Sequence, residues 1–124
     1  MDNYIVESTK YTLGVDFNAE TGVLKMTGSS YPENAVEFFK PIEDWLKKYI
    51  EEVKKPIRFE LKIDYLNTSS TKSLLDIFDI LEEYSQSGGE VKIIWYYEED
   101  DEDMLETGEE LTEDFELDIE FKTL

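Results

Sequence analysis

The amino-acid sequence predicts an α/β fold, a mixed sheet of about five strands with its helices mainly on one face. Three observations lead there. Between residues 57 and 65 the alternation is strict, with Ile57, Phe59, Leu61, Ile63 and Tyr65 on one side and Arg58, Glu60, Lys62 and Asp64 on the other. One face of that strand is therefore polar, which a parallel strand covered by helices on both sides would not be. Two longer stretches repeat apolar residues at three and four, the signature of helices that bury one stripe. Strand-like and helix-like stretches also alternate along the chain, and right-handed crossovers then place the helices over a single face.

Taken in order, residues 11–17 and 23–27 read as short strands. Asn18, Ala19, Glu20, Thr21 and Gly22 between them suit a hairpin loop in which Gly22 takes a positive φ. Gly28 to Asn34 then break the pattern and supply a cap, with Pro32 near a helix start. The first helix presents Phe39, Ile42, Trp45 or Leu46, Tyr49, Ile50 and Val53 along one stripe. Pro41 falls inside it and predicts a kink or short break near Phe39 and Lys40. Lys54, Lys55 and Pro56 end this helix, and the strand from Ile57 follows.

Asn67, Thr68, Ser69, Ser70 and Thr71 form a polar turn that can cap the second helix, whose stripe is Leu74, Ile77, Phe78, Leu81 and Tyr84. Gly88 and Gly89 terminate it. Val91, Ile93, Trp95 and Tyr97 make the next strand, with Lys92, Ile94 and Tyr96 opposite. Residues 98–116 are dense in carboxylates but keep Met104, Leu105, Leu111 and Phe115, which allows a helix with a thin apolar stripe interrupted at Gly108. Leu117, Ile119 and Phe121 alternate with charged residues in a final strand.

Composition narrows the function. The chain has 124 residues, 40% hydrophobic and 14% aromatic, enough for one domain over residues 1–124 that includes the acidic segment. No apolar run approaches the ~20 residues of a membrane span and no leader pattern opens the chain, so a soluble cytoplasmic protein that does not engage a membrane is expected. There is no cysteine and no histidine, which excludes disulfides, thiolate or imidazole metal sites and histidine-based triads. The remaining carboxylates, Lys, Tyr and hydroxyls show no catalytic spacing, and the acidic run lacks the calcium-loop pattern. No catalytic residue, metal or cofactor is expected.

The net charge is −19, and −13 of it lies from Glu98 onward, where fourteen acidic residues meet only Lys122. Nucleic-acid binding, which needs a basic surface, is excluded, and a protein partner is the natural counterpart. The polar turn suggests how such a partner is controlled. A hydroxyl at a helix start is well placed for a phosphate, because first-turn amides and the helix dipole both favour an anion there. Thr68 is the candidate, with Ser69 and Ser70 as alternatives, and an ordinary helix cap is the simpler reading of the same residues.

Two segments in combination resemble the SiaC family of bacterial regulatory phosphoproteins. They are Ser30-Tyr31-Pro32-Glu33-Asn34 and Tyr65-Leu66-Asn67-Thr68-Ser69-Ser70, the latter followed by Lys72 and Asp76-Ile77-Phe78-Asp79-Ile80-Leu81-Glu82-Glu83. The strand, Asn-Thr-Ser-Ser turn and helix are also similar, more loosely, to the phosphorylatable turn of STAS domains of the anti-sigma-factor-antagonist type. The resemblance spans nearly the whole chain and implies a STAS-like domain without enzymatic activity. It implies phosphorylation at Thr68 by a Ser/Thr kinase with a histidine-kinase-like ATPase fold and removal of the phosphate by a PP2C-type phosphatase. It further implies that the unphosphorylated form binds and regulates an effector such as a diguanylate cyclase, tying the chain to cyclic-di-GMP regulation.

On this reading Tyr31, Glu33, Asn34, Asn67, Ser69 and Lys72 are candidates for partner contact. Asn67 also suits a cap, Tyr31 and Glu33 a helix entry, and Lys72 either solvent or the phosphate. Two other classes stay open: an enzyme working through Tyr and carboxylates, and an acidic module that mimics a polyanion through residues 98–116.

Overall fold

The computed structural model describes residues 1–124 and contains, in order, β1 (Tyr4–Val6), β2 (Gly14–Phe17), β3 (Val23–Ser30), α1 (Ala35–Glu52), β4 (Ile57–Leu66), α2 (Thr68–Gln86), β5 (Val91–Tyr97), α3 (Glu102–Thr112) and β6 (Asp118–Thr123). One sheet holds all six strands in sequence order. β1, β2 and β3 are antiparallel neighbours, and β3 through β6 run parallel. The sixth strand is β1, three residues laid along β2, too short to show an alternation in the sequence.

All three helices cover the face predicted to be apolar. Val15, Phe17, Leu24, Met26, Phe59, Leu61, Ile93 and Trp95 from the sheet meet Phe39, Ile42, Leu46 and Tyr49 of α1, Leu74, Ile77, Phe78 and Leu81 of α2, and Leu111 of α3. Fully burying such a side chain contributes about 2 kcal/mol, which makes this layer the main source of stability. The other face is mostly polar and solvent-accessible, although Ile94 at its centre is wholly buried beneath its charged neighbours. Asp16, Lys25, Glu60, Ile94 and Glu120 form one row across five strands, and Lys92 reaches both Asp118 (3.5 Å) and Glu120 (3.3 Å).

Four local expectations are corrected. The second strand starts at Gly14 rather than Tyr11, because Thr9 Oγ1 accepts from the amides of Tyr11 (3.1 Å) and Thr12 (3.0 Å) and holds those residues in a turn. α1 runs unbroken through Pro41. The proline is exposed and so is Glu37, whose carbonyl would have received the missing bond, so that carbonyl can be solvated while buried Phe39 and Ile42 hold the helix on the sheet.

Gly108 does not interrupt α3. It sits where the helix crosses Trp95, and a Cβ there would lie 2.6 Å from the indole Nε1. That indole donates to the Met104 carbonyl at 3.1 Å. Tyr65 is the fourth case and belongs to the site described below. The expected hairpin glycine and helix stop are present, Gly22 with φ 74° and Gly88 with φ 105°.

Where α1 meets α2, Glu43 is half-buried, and its pKa is pushed above the usual carboxylate range by burial first and the Asp76 carboxylate second. A carboxyl whose pKa is higher folded than unfolded destabilises the fold once ionised, and the penalty fades as pH falls through the folded value. Glu43→Gln is expected to raise the melting temperature at neutral pH and to match the parent well below the ordinary carboxylate range. An unchanged melting temperature at neutral pH would contradict this. Gly108→Ala is expected to cost about 1–3 kcal/mol in urea unfolding, because the indole must move; unchanged stability would show that α3 can lift off Trp95 freely.

Candidate functional site

β3 and β4 end side by side and each hands over to a helix, β3 to α1 and β4 to α2. Their pairing slips by one residue just before the end: Gly28 lies opposite Ile63 but Ser29 opposite Tyr65, leaving Asp64 as the extra residue of a bulge. Gly28 has φ 106°, a conformation that residues with a Cβ rarely adopt. The slip reverses the alternation of β4. Tyr65, expected in the core, is 51% exposed.

Its ring meets Tyr31 edge-on at 5.6 Å, and Tyr31 meets Tyr11 edge-on at 5.0 Å. Tyr11 is itself 52% exposed, and Val36, 74% exposed, opens α1 at the same end of the sheet. Three tyrosines thus form an aromatic ladder beside the polar turn. Tyrosines combine a large apolar area with few rotors, which suits them to anchoring a protein contact.

The turn itself is held from below. Ser30 Oγ and Ser70 Oγ lie 2.6 Å apart, both wholly buried. Asn67 donates its amide to the Ser30 carbonyl at 2.9 Å. Its side-chain Oδ1 accepts from the Ser70 amide at 2.8 Å and from the Ser69 hydroxyl at 3.3 Å. Its carbonyl accepts from the Thr71 amide (2.9 Å) and hydroxyl (3.0 Å). Asn67 is thus the N-cap of α2, and Asn34, whose Oδ1 accepts from the Glu37 amide at 3.1 Å, is the N-cap of α1.

This arrangement separates the three candidate hydroxyls. Ser70 is sealed in and bonded, Ser69 is exposed but turned back to Asn67, and Thr68, the first residue of α2, is exposed with a hydroxyl that makes no hydrogen bond in the chain. Lys72, one helical turn after Thr68, is exposed and engages no carboxylate. Tyr31 joins Thr68 at this end. Exposed Glu33 lines a different groove, toward Tyr4 and Phe38.

No group of three or more carboxylates is placed to hold a metal ion, and no helix is long and apolar enough to cross a membrane. Sequence reasoning missed Tyr11, Tyr65 and Ser30 as parts of this site. Ser30 and Tyr65 stand in the two segments that carry the family resemblance, and Gly28, a glycine at the end of a strand pattern, signals the bulge that turns Tyr65 outward.

Removing one partner of a buried hydrogen bond strands the other, so Ser30→Ala and Ser70→Ala should each destabilise the chain by about 1–3 kcal/mol. The double variant should cost less than the sum. Urea unfolding of all four proteins checks this, and strict additivity would show that the two hydroxyls act independently.

The chain matches the SiaC family regulatory phosphoprotein profile over residues 6–124. A protein of Pseudomonas aeruginosa strain UCBPP-PA14 is 37% identical over 114 residues, covering 92% of this chain and 90% of the relative. The crystal structure of apo-SiaC from Pseudomonas aeruginosa is similar with a TM-score of 0.92 at 34% identity, covering 98% of this chain and 99% of that one. The matching chain in a crystal structure of the diguanylate cyclase SiaD in complex with its activator SiaC, from the same organism, gives a TM-score of 0.94 at 34% identity and the same coverage. With family profile, sequence and fold in agreement over nearly its whole length, this chain belongs to the SiaC family of regulatory phosphoproteins.

Proposed function

We propose that this chain is a cytoplasmic, non-enzymatic binding protein switched by phosphorylation of Thr68, and that its unphosphorylated form docks on and regulates a diguanylate cyclase. The observation that carries the reading is the placing of Thr68. It is exposed and unbonded at the start of a long helix, beside an aromatic ladder with two half-exposed rings. The Pseudomonas aeruginosa relative supplies the class of effector, since it is an activator found in complex with the cyclase SiaD.

The kinase in this scheme is a Ser/Thr kinase with a histidine-kinase-like ATPase fold, and a PP2C-type phosphatase reverses it. Thr68 stands free for both enzymes, whereas Ser70 would have to leave the interior. In the effector complex Tyr11, Tyr31, Tyr65 and Val36 supply the apolar contact. Asn67 and Ser69 act through the shape of the turn, and Lys72 flanks it.

A phosphate on Thr68 adds about −1.5 to −2 charges at neutral pH. Docking would then strip water from a dianion against an aromatic surface, an unfavourable step that no cation of the effector need offset. The phosphate also finds the amides that open α2 and the Lys72 ammonium one turn along, so it is accommodated without refolding. Each 1.4 kcal/mol is about tenfold in affinity, so a cost of a few kcal/mol makes the switch nearly complete.

Thr68→Ala should keep the fold and take up no phosphate from the cognate kinase. Thr68→Asp should bind the effector at least about tenfold more weakly than the parent. Mass spectrometry of the phosphorylated chain, with titration of each variant against the cyclase, checks both. Phosphate on Ser69, or full effector affinity in Thr68→Asp, would overturn the assignment.

A further inference from the structure

The aromatic site does not end at its tyrosines. Tyr65 also lines a groove of about 700 Å³ between α2 and α3, together with Leu66, Leu75 and Phe115, so groove and ladder form one continuous surface. Asp64, Asp103, Glu110 and Asp114 line the same groove and are all exposed. The surface is therefore apolar at its tyrosines and rimmed by hydrated carboxylates where it borders α3.

Nothing in the chain balances these four charges. All six ion pairs lie along α1 or on the polar face of the sheet. Lys72 on α2 and Lys10, whose ammonium stands 5.7 Å from the centre of the Tyr11 ring, belong to this end of the molecule, but neither lines the groove. The surface thus runs from positive beside Tyr11 to negative beside α3, and a partner that covers it meets its best charge match in one orientation.

Resting on the effector reading above, we infer that the carboxylate rim steers the effector onto the tyrosines, and that the effector surface covering them is an apolar patch bordered by Lys or Arg where it meets α3. Charge acts over about 10 Å at 0.1 M salt, whereas the loss of water at an aromatic contact is felt only on touching. Exposed rim charges therefore set the rate of encounter, and the buried tyrosine contact sets the lifetime of the complex. A phosphate on Thr68 then has two separable effects. From a distance it adds to the negative field and does not slow encounter; in contact it must give up water beside the tyrosines, and the complex falls apart sooner. Phosphorylation acts by releasing effector already bound.

The test is stopped-flow association and dissociation of the full chain with the cyclase at about 20 mM and about 0.5 M salt. One variant combines Asp64→Asn, Glu110→Gln and Asp114→Asn. A second combines Asp44→Asn, Glu51→Gln and Glu52→Gln, exposed in the second half of α1, and changes the net charge equally. At low salt the rim variant should associate at least about tenfold more slowly than the parent, with dissociation within about twofold, and the gap should close at high salt. The α1 variant should associate within about twofold of the parent. Thr68→Asp should associate at least as fast as the parent and dissociate at least about tenfold faster. Unchanged association in the rim variant, an equal loss in the α1 variant, or slower association or unchanged dissociation in Thr68→Asp would overturn the inference. A parent chain that does not bind the cyclase at all would sink the effector reading and this inference together, whereas binding without the expected split in rates sinks this inference alone.

Discussion

The buried hydroxyl pair Ser30–Ser70 is the contact on which the end of the molecule that carries Thr68 depends. At 2.6 Å and out of reach of water, it joins the last residue of one strand to the first turn of a helix forty positions later. A polar atom in such a place is tolerated only when it is bonded, so each serine requires the other. With Asn67 bonded to the Ser30 carbonyl and capping α2, the pair fixes the height and direction of the turn. Thr68 is displayed because its neighbours on either side are tied down, and the tyrosine ladder is displayed because the same two strand ends hold Tyr31 and Tyr65 at a set spacing.

Charge is distributed to match. The twelve carboxylates between Glu98 and Glu116 take part in none of the chain's ion pairs, and such a run tends toward a solvated coil. Here it folds as α3 because the Asp101 side chain caps it at the Met104 amide (3.0 Å), Asp103 and Glu102 favour its first turn, and Gly108 lets it touch Trp95. The acidic segment is thus a wall of the molecule and not a free tail. Its carboxylates repel one another without helping the core, which makes a partner's cations the natural source of compensation.

Periodicity made most of the fold legible. The alternation from Ile57, the stripes ending at Val53 and Tyr84, and the stops at Lys54 and Gly88 all fall within a residue or two of the observed elements. It failed where tertiary contact outweighs local pattern. Pro41 is tolerated because Phe39 and Ile42 are wholly buried on either side of it. Gly108 reads as a break until Trp95 is seen lying beneath it. The three residues of β1 have no stability apart from β2. At the candidate site, the polar cap of α2 could be read directly, since capping is local chemistry. Tyr65 could not, because one extra residue at Asp64 reverses which way a strand's side chains point.

If the phosphate acts by its charge on a surface held rigid from below, its effect on the chain itself must be small and local. Amide spectra of the protein before and after phosphorylation of Thr68 measure this directly. Shifts confined to the neighbourhood of Thr68, namely Tyr65 to Lys72 and the adjoining end of β3, with the β5 and α1 resonances in place, are what this account predicts. Widespread movement of the core resonances of α1, β4 and β5 would mean that the phosphate works by repacking the domain, and would contradict it.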